Sequence, residues 1–180
     1  LMGLRSIHKM KKIPQKPIVI QPNKHQDERG FFVEIWNYKN LKKLGIADPF
    51  VQENHSFSLR KGTFRGMHYQ IPPYAQSKLV RCTRGSILDI AIDFRKGSPN
   101  FLKPYYQILS EENSHQFYLP IGFLHGFLTL QDNCEVVYCC NNYFSKVHDR
   151  SVKISLDALR EEYLPSLSKL VLSEKDLNAP

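Results

Sequence analysis

The chain has 180 residues, of which 42% are hydrophobic, so it is long enough to form one domain with a full core. Its 25 lysines and arginines exceed its 17 acidic residues, and the formal net charge of +8 favours an anionic partner such as nucleic acid, acidic lipid or a phosphorylated small molecule. The sequence contains neither an apolar run of about 18 residues nor the residue order of a signal peptide, which argues against a membrane-spanning helix and favours a cytoplasmic protein.

The first part of the chain differs in character from the rest. Residues 1–15 contain the densest basic cluster and no alternating pattern, and we predict that they form a flexible leader. Residues 16–180 are predicted to form a single domain.

Short apolar runs rich in β-branched and aromatic residues dominate the predicted domain, and turns that contain glycine or proline separate them. Helical patterns occur only in residues 40–45 and 156–163. This spacing predicts an all-β sandwich or barrel with a few short peripheral helices. The predicted strands are residues 17–20, 31–36, 51–59, 64–70, 78–83, 87–94, 105–109, 116–119, 126–130 and 135–143.

The predicted strand at residues 87–94, ILDIAIDF, is apolar on both faces apart from Asp89 and Asp93. Such a strand is covered on both sides. One face would line the interior of a jelly roll, and a second sheet or a second subunit would cover the other, so we expect a homodimer. Buried carboxylates need partners, and three nearby arginines are candidates. These are Arg81, Arg84 and Arg95.

The stretch FRGMHYQ, residues 64–70, places Arg65 and His68 three positions apart within a predicted strand. In an ideal strand such residues point to opposite faces. Gly66 lies between them and could permit a bulge or a twist. We therefore predict that both side chains face the interior.

A metal site is the first chemistry to consider. The string PIGFLH, residues 120–125, resembles the second motif of the cupin superfamily of jelly-roll barrels, which often carries a metal ligand. A metal-binding cupin also has an H-x-H pair, whereas this chain has HYQ at residues 68–70. A cation near Arg65 and Lys78 would meet repulsion. We predict neither a metal nor another cofactor.

Seven strings in order carry a more specific resemblance: DERGFF, FVQENHS, FRGMHYQ, AQSKLVR, GSP, LPIGFLHGF and LSEKD. From about residue 18 to residue 176, the chain resembles the dTDP-4-dehydrorhamnose 3,5-epimerase family. The resemblance implies a cofactor-free cupin homodimer that takes a nucleotide-diphosphate sugar, not nucleic acid or a membrane. It would invert C3 and C5 of a 4-keto-6-deoxyhexose in the biosynthesis of an L-rhamnose-type sugar.

Epimerisation next to a ketone requires few groups. The C4 ketone acidifies the protons on both neighbouring carbons, so the reaction needs a base, a group that holds the enolate oxygen, and an acid on the opposite face. The resemblance implies that His68 is the base and that Asp176 is its hydrogen-bonded carboxylate. It also implies that Lys78 stabilises the enolate and that Tyr138 is the acid.

The resemblance further implies a set of substrate-binding residues. Arg29, Arg65 and Lys175 match positions near the diphosphate, where guanidinium groups suit phosphate oxygens. Tyr143 or Phe144 would stack on the nucleobase. The remaining positions that match the family's nucleoside and sugar contacts are Phe32, Glu34, Gln52, Asn54, Gln70 and His125.

Departures from the family pattern keep alternatives open. Cys139 and Cys140 follow Tyr138 where the family commonly has a lysine or a similar residue, and the family's tryptophan-rich segment is replaced by VKISLDALREEYLP. Inversion at C3 alone or at C5 alone is an alternative on the same scaffold. A metal-dependent cupin and a non-catalytic carbohydrate-binding jelly roll are alternatives from other classes.

Overall fold

The computed structural model describes residues 14–166 and 169–180. Nearly all of the predicted leader lies outside these residues. The described part contains twelve strands and three short helices. The strands are β1 (Ile18–Ile20), β2 (Lys24–Asp27), β3 (Gly30–Val33), β4 (Gln52–Ser58), β5 (Phe64–Gln70), β6 (Lys78–Arg84), β7 (Ser86–Asp93), β8 (Pro104–Ser110), β9 (Gln116–Leu119), β10 (Phe123–Thr129), β11 (Cys134–Cys140) and β12 (Asp149–Ser151). The helices are α1 (Tyr38–Lys43), α2 (Asp157–Tyr163) and α3 (Glu174–Leu177).

Ten of these strands form two five-stranded antiparallel sheets. The first sheet has the order β1-β9-β6-β11-β4 and the second has the order β12-β5-β10-β7-β8. Their facing side chains form one buried core, to which the first sheet contributes Val80, Phe117 and Val136 and the second contributes Ile87 and Phe127. Two antiparallel sheets packed in this way form a jelly roll, so the predicted all-β fold is confirmed.

The outer face of the second sheet is also buried. Leu88 and Ile90 of β7 belong to a cluster that includes Leu159 of α2 and Leu164. Strand β7 is therefore covered on both faces, as predicted, but its cover is the C-terminal part of the same chain. The expectation that a second subunit covers this strand is wrong, because the amphipathic α2 already supplies the apolar surface.

Strands β5 and β10 approach each other closely at two glycines. Gly66 has a φ of +142°, and a Cβ atom there would lie 2.5 Å from Cα of Gly126. The pairing of β10 with β5 shifts register between His125 and Phe127. This irregularity is the predicted bulge, and it needs glycine because a side chain would collide with the neighbouring backbone.

The elements that sequence patterns failed to predict are polar or very short. Strand β2 has the sequence KHQD and pairs with β3. These two strands form a hairpin that is separate from the two five-stranded sheets. Helix α3 has four residues and β12 has three, too few for a periodic pattern to stand out. Within the described residues, no helix is long and apolar enough to cross a membrane.

Candidate active site

A cavity of about 450 Å³ opens between the two sheets. A second cavity of about 300 Å³ adjoins it, because His68, Lys78 and Tyr138 line both. We call the first the inner cavity and the second the outer cavity. Most of the predicted site residues lie here. The inner cavity is also lined by Arg65, His125 and Asp176, and the outer cavity by Gln52, Asn54, Gln70, Phe144 and Lys175. Arg65 and His68 therefore share one cavity, as predicted.

His68 and Asp176 form a hydrogen-bonded pair. Nε2 of His68 lies 2.7 Å from Oδ1 of Asp176, whose side chain is only 4% exposed. Ser173 caps α3 by accepting a hydrogen bond from the Asp176 backbone N–H at 3.2 Å. The preceding segment is fixed to β5, because the Phe64 N–H donates to the carbonyl of Val171 at 2.8 Å. Two distant parts of the chain are thus joined at one imidazole.

The protonation state of His68 suits a general base. Burial lowers the pKa of His68 below its ordinary value of 6.5, although the hydrogen bond to Asp176 opposes this effect. The imidazole is therefore neutral at pH 7. Because Asp176 engages Nε2, the proton of the neutral ring sits on Nε2 and Nδ1 is left to accept a proton.

A second chain of polar contacts runs from Lys78 into the core. Nζ of Lys78 lies 3.5 Å from Nδ1 of His125, and Nε2 of His125 lies 3.1 Å and 3.2 Å from the two carboxylate oxygens of Asp89. An ammonium group can only donate, so it donates to Nδ1 and leaves the ring proton on Nε2, where it is donated to Asp89. Burial lowers the pKa of Lys78 below 10.5.

The partner of Asp89 differs from the predicted arginines. Side chains alternate along β6, so Arg81 points away from the face on which Val80 and Cys82 enter the core. Arg84 contacts Glu135 instead, at 3.8 Å. The prediction is right only for Asp93, which pairs with Arg95 at 2.7 Å. Burial alone would raise the pKa of Asp93, but hydrogen bonds from Arg95 and Ser98 lower it to about 2.

Tyr138 faces His68 across the cavity. It belongs to β11 of the first sheet, whereas His68 belongs to β5 of the second. Its ring centroid lies 6.3 Å from that of His125 and 5.8 Å from Nζ of Lys78. Burial raises the pKa of Tyr138, so the phenol keeps its proton. A flat substrate between the sheets would meet a base on one face and an acid on the other.

The outer cavity carries charged and aromatic groups. Lys175 pairs with Asp149 at 2.5 Å. Asp149 also lines this cavity, and it was not predicted because none of the seven strings that carry the resemblance contains it. Gln52 donates to Asn54 at 2.9 Å and accepts from the Phe144 N–H at 2.9 Å.

Four predicted binding residues lie outside both cavities of their own chain. Arg29 forms an ion pair with Asp27 in the β2–β3 hairpin, and Phe32 of β3 is 72% exposed. Glu34 accepts hydrogen bonds from Asn37 and Asn40. Tyr143 is exposed beside the outer cavity without lining it. The roles of these four residues stay predictions.

The described residues contain no group of three or more His, Cys, Asp or Glu side chains arranged to hold a metal ion. The four cysteines are free thiols. Burial raises the pKa of the Cys140 thiol, and the charge of Lys78 and the hydrogen bond from Asn54 partly offset this increase.

Comparison with known proteins places the chain in a family. The sequence profile described as dTDP-4-dehydrorhamnose 3,5-epimerase matches residues 12–180. The chain belongs to the dTDP-4-dehydrorhamnose 3,5-epimerase family. A family member from Shigella flexneri is 44% identical over 162 residues, which are 89% of this chain and 88% of that protein.

Solved epimerase structures agree with this placement. The dTDP-4-dehydrorhamnose 3,5-epimerase of Bacillus anthracis, crystallised with TDP and PPi bound, is 39% identical and has a TM-score of 0.85, covering 91% of this chain and 93% of that one. The epimerase of Legionella pneumophila, crystallised with dTDP-4-keto-L-rhamnose, is 40% identical and has a TM-score of 0.82, covering 91% of this chain and 86% of that one. The predictions of an epimerase family member and of an isomerase are confirmed.

Proposed function

We propose that the protein inverts C3 and C5 of a dTDP-linked 4-keto-6-deoxyhexose, with His68 as the base. One observation carries this proposal: a neutral imidazole and a protonated phenol face each other across one cavity, and an ammonium group lies beside them. The ligands of the related B. anthracis and L. pneumophila enzymes support a thymidine nucleotide and a keto sugar as the substrate class.

Each inversion breaks one C–H bond and forms another. Nδ1 of His68 takes the proton from the carbon next to the C4 ketone, and the electron pair of that bond moves into a C=C bond as negative charge develops on O4. Lys78 donates to this oxygen and stabilises the enolate. Tyr138 then delivers its proton to the opposite face of the same carbon, and exchange with solvent resets both side chains. A second cycle inverts the other carbon.

The nucleotide end of the substrate would occupy the outer cavity. Arg65 lines the inner cavity and its guanidinium bonds to Ser58 and to the carbonyl of Phe57, which holds it in place. Lys175 supplies a second positive charge. Phe144 and Tyr143 offer exposed rings on which a thymine can stack. These groups match a diphosphate linked to a nucleobase.

We also propose a homodimer in which the β2–β3 hairpin of one chain reaches the site of the other. The hairpin and the segment after it expose Phe31, Phe32 and Trp36, an aromatic surface typical of an interface. Arg29 lies outside the cavities of its own chain. A second copy is the partner that would let Arg29, Phe32 and Glu34 contact substrate as the resemblance implies.

Mixing two impaired variants at a substrate concentration well below KM tests this arrangement. We expect light scattering to give a mass of about twice 21.0 kDa. Arg29→Ala should raise KM by about 10- to 100-fold, the value of one charged hydrogen bond. When Arg29→Ala chains are mixed with His68→Ala chains, each hybrid dimer regains one intact site, so activity should recover. A monomer in solution, or a mixture without recovery, would overturn the proposed dimer.

Deuterium exchange tests the proposed reaction. In D₂O, the wild-type protein should place deuterium at both C3 and C5 of a dTDP-4-keto-6-deoxyglucose substrate, as NMR would detect. Label at one carbon only would establish a single inversion, and no label would refute the proposal. In Tyr138→Phe, exchange should persist while inversion falls by about 10²- to 10⁴-fold, because removal of the proton needs only the base. Equal loss of both would exclude Tyr138 as the acid.

The expected product is the precursor of an activated L-rhamnose-type sugar. Because nucleotide sugars are made from nucleotides and sugar phosphates, we propose that the protein acts in the cytoplasm.

A further inference from the structure

Two segments meet at the mouth of the outer cavity. We call residues 71–77, which follow β5, the proline turn, and residues 141–148, which lie between β11 and β12, the aromatic loop. The aromatic loop carries Phe144, which lines the outer cavity and is nevertheless 58% exposed. An exposed ring is an effective stacking surface only if its backbone is already held in place. Otherwise the entropy lost in ordering the loop reduces the free energy of binding.

The side chain of Gln70 joins these two segments. Gln70 is the last residue of β5 and is only 7% exposed. Its Nε2 donates to the carbonyl of Tyr74 at 2.6 Å and to the carbonyl of Tyr143 at 3.1 Å. Its Oε1 accepts from the Ser145 N–H at 2.6 Å. Both amide hydrogens are therefore used within the chain, and none is left to donate to a substrate.

These hydrogen bonds hold the backbone on both sides of Phe144. Gln70 binds the residue before the ring and the residue after it, and Gln52 accepts from the N–H of Phe144 itself. Other contacts between the two segments reach the ends of the aromatic loop. Gln76 donates to the carbonyl of Asn142 at 2.8 Å, and the rings of Tyr74 and His148 lie 4.6 Å apart. The backbone on both sides of Phe144 thus depends on Gln70.

We infer that Gln70 is a positioning residue, which acts on the substrate only through the backbone of Tyr143 and Ser145 and thereby fixes the Phe144 ring against the nucleobase. This inference deepens the proposed function and rests on it. It assigns Gln70 to nucleotide affinity instead of proton transfer, and it replaces the direct substrate contact that the family resemblance implies for this residue.

A double-mutant cycle on dTDP binding tests the inference. Calorimetry should show that Gln70→Leu and Phe144→Ala each raise the Kd for dTDP by about tenfold, the effect of losing one stacking contact. The double variant should be little weaker than either single variant, because a displaced ring has no contact left to lose. Gln107→Leu removes an amide on β8 that donates to the carbonyl of Ile108, far in sequence from both segments, and should leave Kd unchanged.

Kinetics and a conservative variant complete the test. Gln70→Leu should raise KM by the same factor as Kd and leave kcat within about threefold, since the side chain bonds to the backbone of Tyr74, Tyr143 and Ser145 and not to the proposed catalytic groups. Gln70→Glu keeps the shape, but a carboxylate cannot donate to the two carbonyls. The ratio of the Kd of Gln70→Glu to the wild-type Kd should therefore be smaller at pH 5 than at pH 8, because the protonated carboxyl group can donate to one of the two carbonyls.

Additive effects of Gln70→Leu and Phe144→Ala would show that Gln70 contacts the ligand directly, and a loss of kcat without a change in Kd would show that it serves the chemistry. Either result overturns the inference. Both are distinct from a failure of the proposed function, in which the wild-type protein would exchange no deuterium into the sugar.

Discussion

Replacing His68 by alanine should lower kcat by about 10²- to 10⁴-fold, the usual contribution of a well-placed general base. Asp176 also lines the inner cavity, but its carboxylate bonds to Nε2 and therefore does not occupy the position of Nδ1, the atom assigned to proton removal. Affinity for dTDP should change little, since His68 is assigned to the keto sugar and not to the nucleotide. Steady-state kinetics and calorimetry on the same preparation would separate the two effects.

A histidine outside the site provides the matched control. His55 lies on the outer side of β4, where it contacts Glu135 at 3.2 Å, and His55→Ala should keep wild-type kinetics. If His68→Ala retained more than a tenth of the wild-type kcat, proton abstraction would have to be assigned to another group.

Replacing Lys78 by methionine should lower kcat/KM by about 10²- to 10³-fold, the typical effect of removing one donor to a developing oxyanion. Methionine keeps much of the apolar length of lysine, so the packing around His125 changes little while the charge is lost. Loss of a group that stabilises only the enolate should appear mainly in kcat.

The pH dependence distinguishes this role of Lys78 from simple charge attraction. Because burial lowers the pKa of Lys78, its ammonium form is lost as pH rises through a value below 10.5, and wild-type kcat/KM should fall on that alkaline side. On the acid side, kcat/KM should fall as His68 becomes protonated below pH 6.5. Lys78→Met should lose the alkaline limb and keep the acid limb.

An exposed lysine serves as the control here. Lys96 lies in the turn after β7 with its side chain at the surface, and Lys96→Met should leave the pH profile unchanged. If Lys78→Met kept the alkaline limb, that limb would belong to another group, such as the Tyr138 phenol. If Lys78→Met kept wild-type kcat/KM, the enolate role of Lys78 would be wrong.

The fold was largely predictable from periodicity because its core strands bury β-branched and aromatic residues. Strand β7 was predicted to be covered on both faces for this reason. What covers it could not be predicted, since α2 reaches β7 through tertiary packing between segments about 70 residues apart in sequence. The polar hairpin strand β2 was missed because it has no apolar face to set a pattern.

Motifs singled out residues that the structure brings together around two adjoining cavities, but they did not reveal how these residues connect. No local pattern indicates that His125 is the partner of Asp89, because the two residues meet only when β10 pairs with β7. Gln70 shows the same limit. Its place two residues after His68 indicates a site residue, whereas the two bonds that direct it to the aromatic loop involve residues more than 70 positions away.

The most direct test of the central claim is the fate of solvent deuterium in the His68→Ala protein. The variant, saturated with dTDP-4-keto-6-deoxyglucose in D₂O, would be sampled over time and the sugar examined by mass spectrometry and NMR. If His68 removes the protons next to the ketone, the variant should bind the substrate yet incorporate deuterium at C3 and C5 about 10²- to 10⁴-fold more slowly than the wild-type protein. Incorporation at either carbon at the wild-type rate would contradict the assignment of His68 as the base.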